Sequence, residues 1–185
     1  MTVSLPEVET VWKEADCIWT EPQIERAIEQ TSVLIEKDLA HLNPLVLVVM
    51  KGGLVFGARM LTRLRFPLEV DYIHATRYGA HTTGSELNWI VSPQHAVEGR
   101  HLLLVDDILD EGKTLHAIIE CCEAQGAETV SSAVLVDKRH DRKALPDFKA
   151  TYTCLDVPDR YVFGYGMDYK GYLRNAAGVY AVKGL

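Results

Sequence analysis

Three short aliphatic runs limit what this chain can fold into. Leu45–Met50, His101–Asp106 and Thr129–Val136 are rich in valine and leucine and too short for helices. Each therefore reads as a strand buried on both faces. The first gives way to Lys51-Gly52-Gly53 and a helical stretch reaching about Arg65. The second runs through an acidic loop into a helix over Thr114–Ala124, which Gly126 closes. Strand, loop and helix repeated in this order is the pattern of a mostly parallel sheet covered by helices.

Upstream, Thr20-Glu21-Pro22-Gln23 reads as a capping box. Ile24, Ile28, Thr31, Ile35 and Leu39 follow at helical spacing and predict an amphipathic helix over 22–41. Residues 68–76 and 87–91 read as strands flanking a polar, glycine-containing segment. After Asp137 the pattern changes to a charged loop and short strands near 152–155, 161–164 and 178–182. The expectation is one α/β domain over 1–185, a mostly parallel twisted sheet flanked by helices. Its core spans about 41–136, with a small hood lobe drawn from about 1–40 and 137–185.

Composition excludes several classes. A net charge of −7 argues against a nucleic-acid-binding face, which needs clustered cations to displace counterions. The longest apolar run, Leu45–Met50, is far too short to cross a bilayer. The first residues show no basic segment followed by an apolar stretch, as a secretory signal would. Cys17, Cys121, Cys122 and Cys154 form no C-x-x-C pair and no zinc set, and read as reduced thiols. Together these predict a cytoplasmic protein. The seven histidines show no spacing that suggests a role.

The chemistry concentrates in residues 102–114, Leu-Leu-Leu-Val-Asp-Asp-Ile-Leu-Asp-Glu-Gly-Lys-Thr. A buried strand emerges into Asp106 and Asp107, with Asp110 three residues on, and Glu111-Gly112-Lys113-Thr114 opens a helix. Open α/β sheets bind ligands beyond the carboxyl ends of their strands. A helix N-terminus there offers unpaired N–H groups and partial positive charge to a phosphate. Phosphate at the helix, with hydroxyls or a metal at the carboxylates, describes a sugar phosphate. A P-loop would need glycine where Asp107 stands, and its loop would follow the strand without the acidic pair. A receiver domain would carry the pair on its first strand. Simple helix capping requires one acidic residue, not three in five positions.

The segment resembles the phosphoribosyl pyrophosphate motif of the type I phosphoribosyltransferases. Features over roughly 45–175 resemble the hypoxanthine-guanine branch of that family. The resemblance implies transfer of phosphoribose from phosphoribosyl pyrophosphate to N9 of a 6-oxopurine, with Mg2+. Carried onto this chain, Asp106 and Asp107 hold the ribose hydroxyls, and Asp110 is the general base near N7 of the purine. Glu111, Gly112, Lys113 and Thr114 cradle the phosphate. Family members carry Thr or Ser at Glu111, whose carboxylate is therefore expected to point away while its N–H binds. Met50-Lys51-Gly52-Gly53 matches the pyrophosphate loop, where the family has a non-proline cis peptide at the Met50–Lys51 position. Lys51, Gly52 and Arg174 would bind pyrophosphate.

Residues 76–84 match the mobile catalytic loop, with Arg77-Tyr78 where the family has Ser-Tyr. Lys138 would donate to the purine 6-oxygen, Tyr161 stack on the ring, and the Val162 backbone pair with its edge. Asp168 would approach the purine edge and, with Asp106 and Asp107, the magnesium shell. Arg142 and Lys143 are assigned to solvent. The family is commonly dimeric or tetrameric, so a homo-oligomer is expected. Two other readings stay open: a nucleotide-binding regulator of the same fold without turnover, and a xanthine-preferring enzyme.

Overall fold

The computed structural model describes residues 3–77, 87–145 and 147–184. Its main sheet has six strands: β2 (Leu45–Val49), β3 (Glu69–Arg77), β4 (Leu87–Val91), β5 (His101–Leu109), β6 (Thr129–Arg139) and β7 (Tyr152–Pro158). They lie in the order β4-β3-β2-β5-β6-β7. Every neighbouring pair is parallel except β3 with β4. The mostly parallel α/β sheet is thus as the aliphatic runs predict.

Both faces are covered, which is why the central strands carry apolar residues without alternation. On one face α2 (Glu21–Leu39) and α3 (Gly53–Leu61) bring Ile24, Ile28, Ile35, Phe56 and Met60 against Val46, Leu103 and Leu135. On the other, Leu115, Ile118 and Cys122 of α4 (Lys113–Ala124) meet Leu45, Leu47, Leu102 and Leu104. The strand residues divide between faces with period two. Fully burying one such side chain is worth about 1.5–3 kcal/mol, so these two layers dominate the folding energy.

The predicted capping box is present, with Thr20 N–H donating to Gln23 Oε1 at 3.0 Å. Its helix runs from Glu21 to Leu39, close to the expected span. A short N-terminal helix, α1 (Leu5–Glu14), was not expected. Ser4 caps it by accepting from Glu7 N–H at 3.4 Å. The hood sheet is antiparallel, in the order β1-β9-β8, from β1 (Asp16–Thr20), β8 (Val162–Phe163) and β9 (Gly178–Ala181). Val8, Phe163, Tyr169, Leu173 and Val182 form its own cluster.

Two boundary expectations are corrected. Residues 22–40 are not hood: α2 packs on the main sheet, because its Ile24–Leu39 stripe needs the broad face of that sheet. Residues 137–158 are not hood either. β6 continues to Arg139, and β7 pairs parallel to it from Ala133↔Tyr152 to Arg139↔Pro158. No helix among the described residues is long and apolar enough to cross a membrane. All four cysteines are free thiols.

Candidate active site

The site arises from unequal strand lengths. β5 pairs with β2 only from Leu102 to Val105, opposite Val48, one residue before β2 ends. It continues beside β6 as far as Leu109↔Asp137. Asp106 and Asp107 therefore emerge over a gap above β2. Chain from the β2–α3 turn and from the hood approaches that gap. A Cβ on Gly52 would lie 2.0 Å from Asp107 Oδ2, and one on Gly166 would lie 2.1 Å from Gly52 O. Gly166 thus sits directly on the Gly52 main chain, and Gly52 on the Asp107 carboxylate, approaches that leave no room for a side chain. The Met50–Lys51 peptide is cis, as expected.

The result is a cavity of about 640 Å³ lined by Lys51, Gly52, Asp106, Asp107, Asp110, Glu111, Gly112, Lys113, Thr114, Asp168 and Arg174, among others. Every residue assigned to the phosphoribosyl or pyrophosphate groups lines this one space. Gly112 takes φ +82° just before α4. The helix then starts with the unpaired N–H groups that suit an anion. The Glu111 carboxylate pairs with Lys113 Nζ, so its charge is compensated at the rim.

Burial pushes the Asp106 carboxyl well above its usual range, and the Asp107 charge beside it adds to the rise. Burial also raises Asp107, partly offset by its hydrogen bond with Asp106 and by the Arg174 charge. Adjacent carboxylates in this condition are relieved by hydroxyl donors or a cation. Arg174 donates to Gly166 O at 2.6 Å and to Asp168 Oδ1 at 2.5 Å, and Asp168 Oδ2 also accepts from Gly171 N–H at 2.6 Å.

Asp106, Asp107 and Asp168 all border the cavity, but among the described residues no three acidic, histidine or cysteine side chains converge on one point. Magnesium is ordinarily held by one or two carboxylates plus substrate oxygens and water. The residues present fit that mode and not a preformed protein cage.

A second cavity, of about 320 Å³, adjoins the first and shares Asp107, Ile108, Asp110 and Asp168 with it. Its remaining lining is Lys138, Tyr161, Val162 and Met167, so all four residues assigned to the purine border it. Tyr161 keeps 41% of its surface exposed, although its ring packs edge-on against Tyr169 with centroids 5.5 Å apart. An aromatic face left open beside a cavity is suited to stacking.

Asp110 stands between the two spaces. Lys138 Nζ donates to its Oδ2 at 2.7 Å, and His140 Nε2 lies 2.7 Å from its Oδ1. Partial burial acts to raise this carboxyl, but the two hydrogen-bonding partners together outweigh it and hold it below its usual range.

One assignment from the sequence is corrected here. Lys143 does not project into solvent: its ammonium donates to Leu109 O at 2.8 Å, Asp110 O at 2.6 Å and Asp137 Oδ1 at 2.6 Å. It ties the loop after β6 to the end of β5. Arg142 is exposed but held by both oxygens of Asp159, at 2.5 and 2.7 Å. His140, given no role from its spacing, touches Asp110 and was missed. The only sequence signal was its place two residues after Lys138. Tyr78 lies outside the described residues, and Arg77 is described only as the last backbone position of β3.

Comparison with known proteins places this geometry. The family profile described as "Phosphoribosyl transferase domain" matches residues 15–170. The hypoxanthine-guanine phosphoribosyltransferase of Bacillus subtilis (strain 168) is 33% identical over 157 residues, covering 84% of this chain and 86% of that protein. That of Streptococcus pneumoniae (strain ATCC BAA-255 / R6) is 32% identical over 154 residues, covering 83% and 84%. Among solved structures, a hypoxanthine phosphoribosyltransferase from Staphylococcus aureus superposes with a TM-score of 0.85 at 28% identity, covering 97% of each chain. The Trypanosoma cruzi hypoxanthine phosphoribosyltransferase in complex with the product IMP gives 0.83 at 28% identity, covering 92% of this chain and 95% of that one. With the profile spanning most of its length and such relatives across more than four-fifths of it, the chain belongs to the phosphoribosyltransferase family.

Proposed function

We propose that this protein is a purine-salvage enzyme, transferring phosphoribose from phosphoribosyl pyrophosphate to N9 of hypoxanthine or guanine. The products are IMP or GMP and pyrophosphate. The observation that carries this reading is the pair of adjoining cavities with a shared acidic wall. One is lined by carboxylates, glycine turns and a helix start suited to a sugar phosphate. The other has an open aromatic face and a lysine suited to a flat, carbonyl-bearing base. The bond to be made lies where they meet, beside Asp110.

In this reading Asp106 and Asp107 accept hydrogen bonds from the ribose hydroxyls, and backbone N–H groups of 111–114 bind the 5′-phosphate. Lys51, Gly52 and Arg174 receive pyrophosphate. Lys138 donates to the purine 6-oxygen, which an adenine amino group could not accept. Tyr161 stacks on the ring, and the Val162 backbone meets its edge. Asp110 accepts the N7 proton as N9 attacks. Magnesium, held by substrate oxygens with Asp106, Asp107 or Asp168, supplies neutralisation of the diphosphate leaving group. A homo-oligomer is the assembly that the family resemblance implies, and light scattering of the purified chain measures it.

The test is pyrophosphate release from phosphoribosyl pyrophosphate and Mg2+ with hypoxanthine, guanine, xanthine, adenine and uracil in turn. Hypoxanthine or guanine should support turnover while adenine and uracil do not. Preference for xanthine would redirect the substrate assignment. Tight nucleotide binding without turnover of any base would indicate a regulator instead.

A further inference from the structure

His140 lies in the loop after β6 with its side chain only 2% exposed. Its Nδ1 accepts the Arg142 backbone N–H at 2.9 Å. A ring nitrogen that accepts cannot carry the proton, so the neutral imidazole bears it on Nε2. The ring is therefore a donor toward Asp110 Oδ1, 2.7 Å away. The loop that presents it is pinned just after the histidine, by Arg142 on Asp159 and by Lys143 on Leu109 O and Asp110 O.

The two oxygens of Asp110 thus have different partners. Oδ2 is held by Lys138, whose side chain also lines the base cavity. A 6-oxopurine entering that cavity offers Lys138 a carbonyl oxygen and draws the ammonium from Oδ2. His140 is absent from the lining of the base cavity and lines a neighbouring one instead, with Asp137, Lys143 and Phe148. A base in its cavity therefore does not compete for the hydrogen bond to Oδ1.

We propose that His140 is a positioning residue for phosphoribosyl transfer, fixing the Asp110 carboxylate through Oδ1 so that Oδ2 faces N7 of the base. The inference rests on the reading of Asp110 as the general base. As the N9–C1′ bond forms, the C1′–O bond breaks and its electron pair leaves with pyrophosphate. The proton on N7 passes to Oδ2, and Nε2 keeps its own proton throughout. Without His140 the carboxylate is free to rotate once Lys138 turns to the substrate, and the basic oxygen loses its aim.

The test compares steady-state turnover of hypoxanthine by full-length wild type, His140→Ala, His140→Gln, Asp110→Asn and the Asp110→Asn/His140→Ala double variant. IMP affinity, measured by calorimetry, monitors folding and binding. Glutamine places an N–H close to the imidazole Nε2 position but cannot titrate.

His140→Ala should lower kcat by roughly 10- to 100-fold, with KM and IMP affinity changed by no more than about threefold. His140→Gln should recover kcat to within about fivefold of wild type, and the double variant should be no slower than Asp110→Asn. Should the alanine variant fail to fold, the glutamine variant decides alone. A folded His140→Gln as slow as Asp110→Asn overturns the proposal, as does His140→Ala with wild-type kcat beside an inactive Asp110→Asn. An Asp110→Asn enzyme with wild-type turnover would instead overturn the base assignment, a distinct failure.

Discussion

Gly166→Ala isolates how tightly the hood is seated on the catalytic turn. Gly166 adopts φ +111°, and its added Cβ would sit 2.1 Å from the backbone oxygen of Gly52. Gly171 supplies the control, since it adopts φ +90° with nothing within 4 Å of the added carbon. Strain alone at such a backbone costs about 1–2 kcal/mol, which sets the expectation for Gly171→Ala. In a chain of this size that lowers Tm by about 2–8 °C.

Gly166→Ala carries the same strain and also a clash with main chain that no side-chain rotation can relieve. Ordinary contact is about 3.4 Å or more, so the hood and the Gly52 turn must separate by about 1 Å. Gly166→Ala should therefore lose at least about twice the stability of Gly171→Ala. Because Gly52 lines the polar cavity, kcat/KM for phosphoribosyl pyrophosphate should also fall by about 100-fold. Differential scanning fluorimetry and steady-state kinetics on the two variants decide it. Equal Tm losses with unchanged kinetics for Gly166→Ala would refute the claim that hood and turn are in backbone contact.

Other expectations follow from individual contacts. Tyr161→Ala should raise KM for the base by about 5- to 150-fold, the worth of one base–aromatic stack, with little change in Tm because the ring is half exposed. Lys143→Met leaves the largely buried Asp137 carboxylate short of a cation and two carbonyls short of a donor. It should cost about 3 kcal/mol, visible as a Tm drop of about 6–12 °C.

Chelation with EDTA should abolish turnover yet leave Tm of the free protein unchanged, because no three ligating side chains among the described residues form a cage. Lys138→Met removes one of the donors that hold the Asp110 carboxyl below its usual range. A lowered carboxyl pKa stabilises the fold above the unfolded value, about 3.9, and that stability is lost as pH falls through the folded value. The Tm difference between wild type and Lys138→Met should thus be present at pH 7 and shrink below about pH 4.

Much of the architecture could be read from local pattern, and the reason is physical. Strands buried on both faces must be aliphatic throughout, so β2, β5 and the body of β6 announce themselves. The acidic turn after β5 carries four carboxylates and a glycine in seven positions, more than any structural duty requires.

What escaped is what depends on distant partners. From the sequence β7 reads only as a short strand near 152–155, and only its pairing with β6 assigns it to the main sheet. β1 has no apolar alternation, being mostly exposed along its length, and exists because β9 pairs with it. His140 and Lys143 sit in a charged run that reads as solvated. Their roles appear only when the loop after β6 folds back on the end of β5, some thirty residues away. α1 was legible in principle, since Ser4-x-x-Glu7 with Pro6 is a helix-start pattern.

The central claim is that a base and an activated sugar meet beside Asp110. Hypoxanthine-dependent pyrophosphate release by wild type and Asp110→Asn, each with IMP affinity measured alongside, tests it most directly. Wild type should turn over hypoxanthine in Mg2+, and the variant should lose about 100-fold or more in kcat with IMP affinity retained. Turnover by Asp110→Asn at the wild-type rate would contradict it.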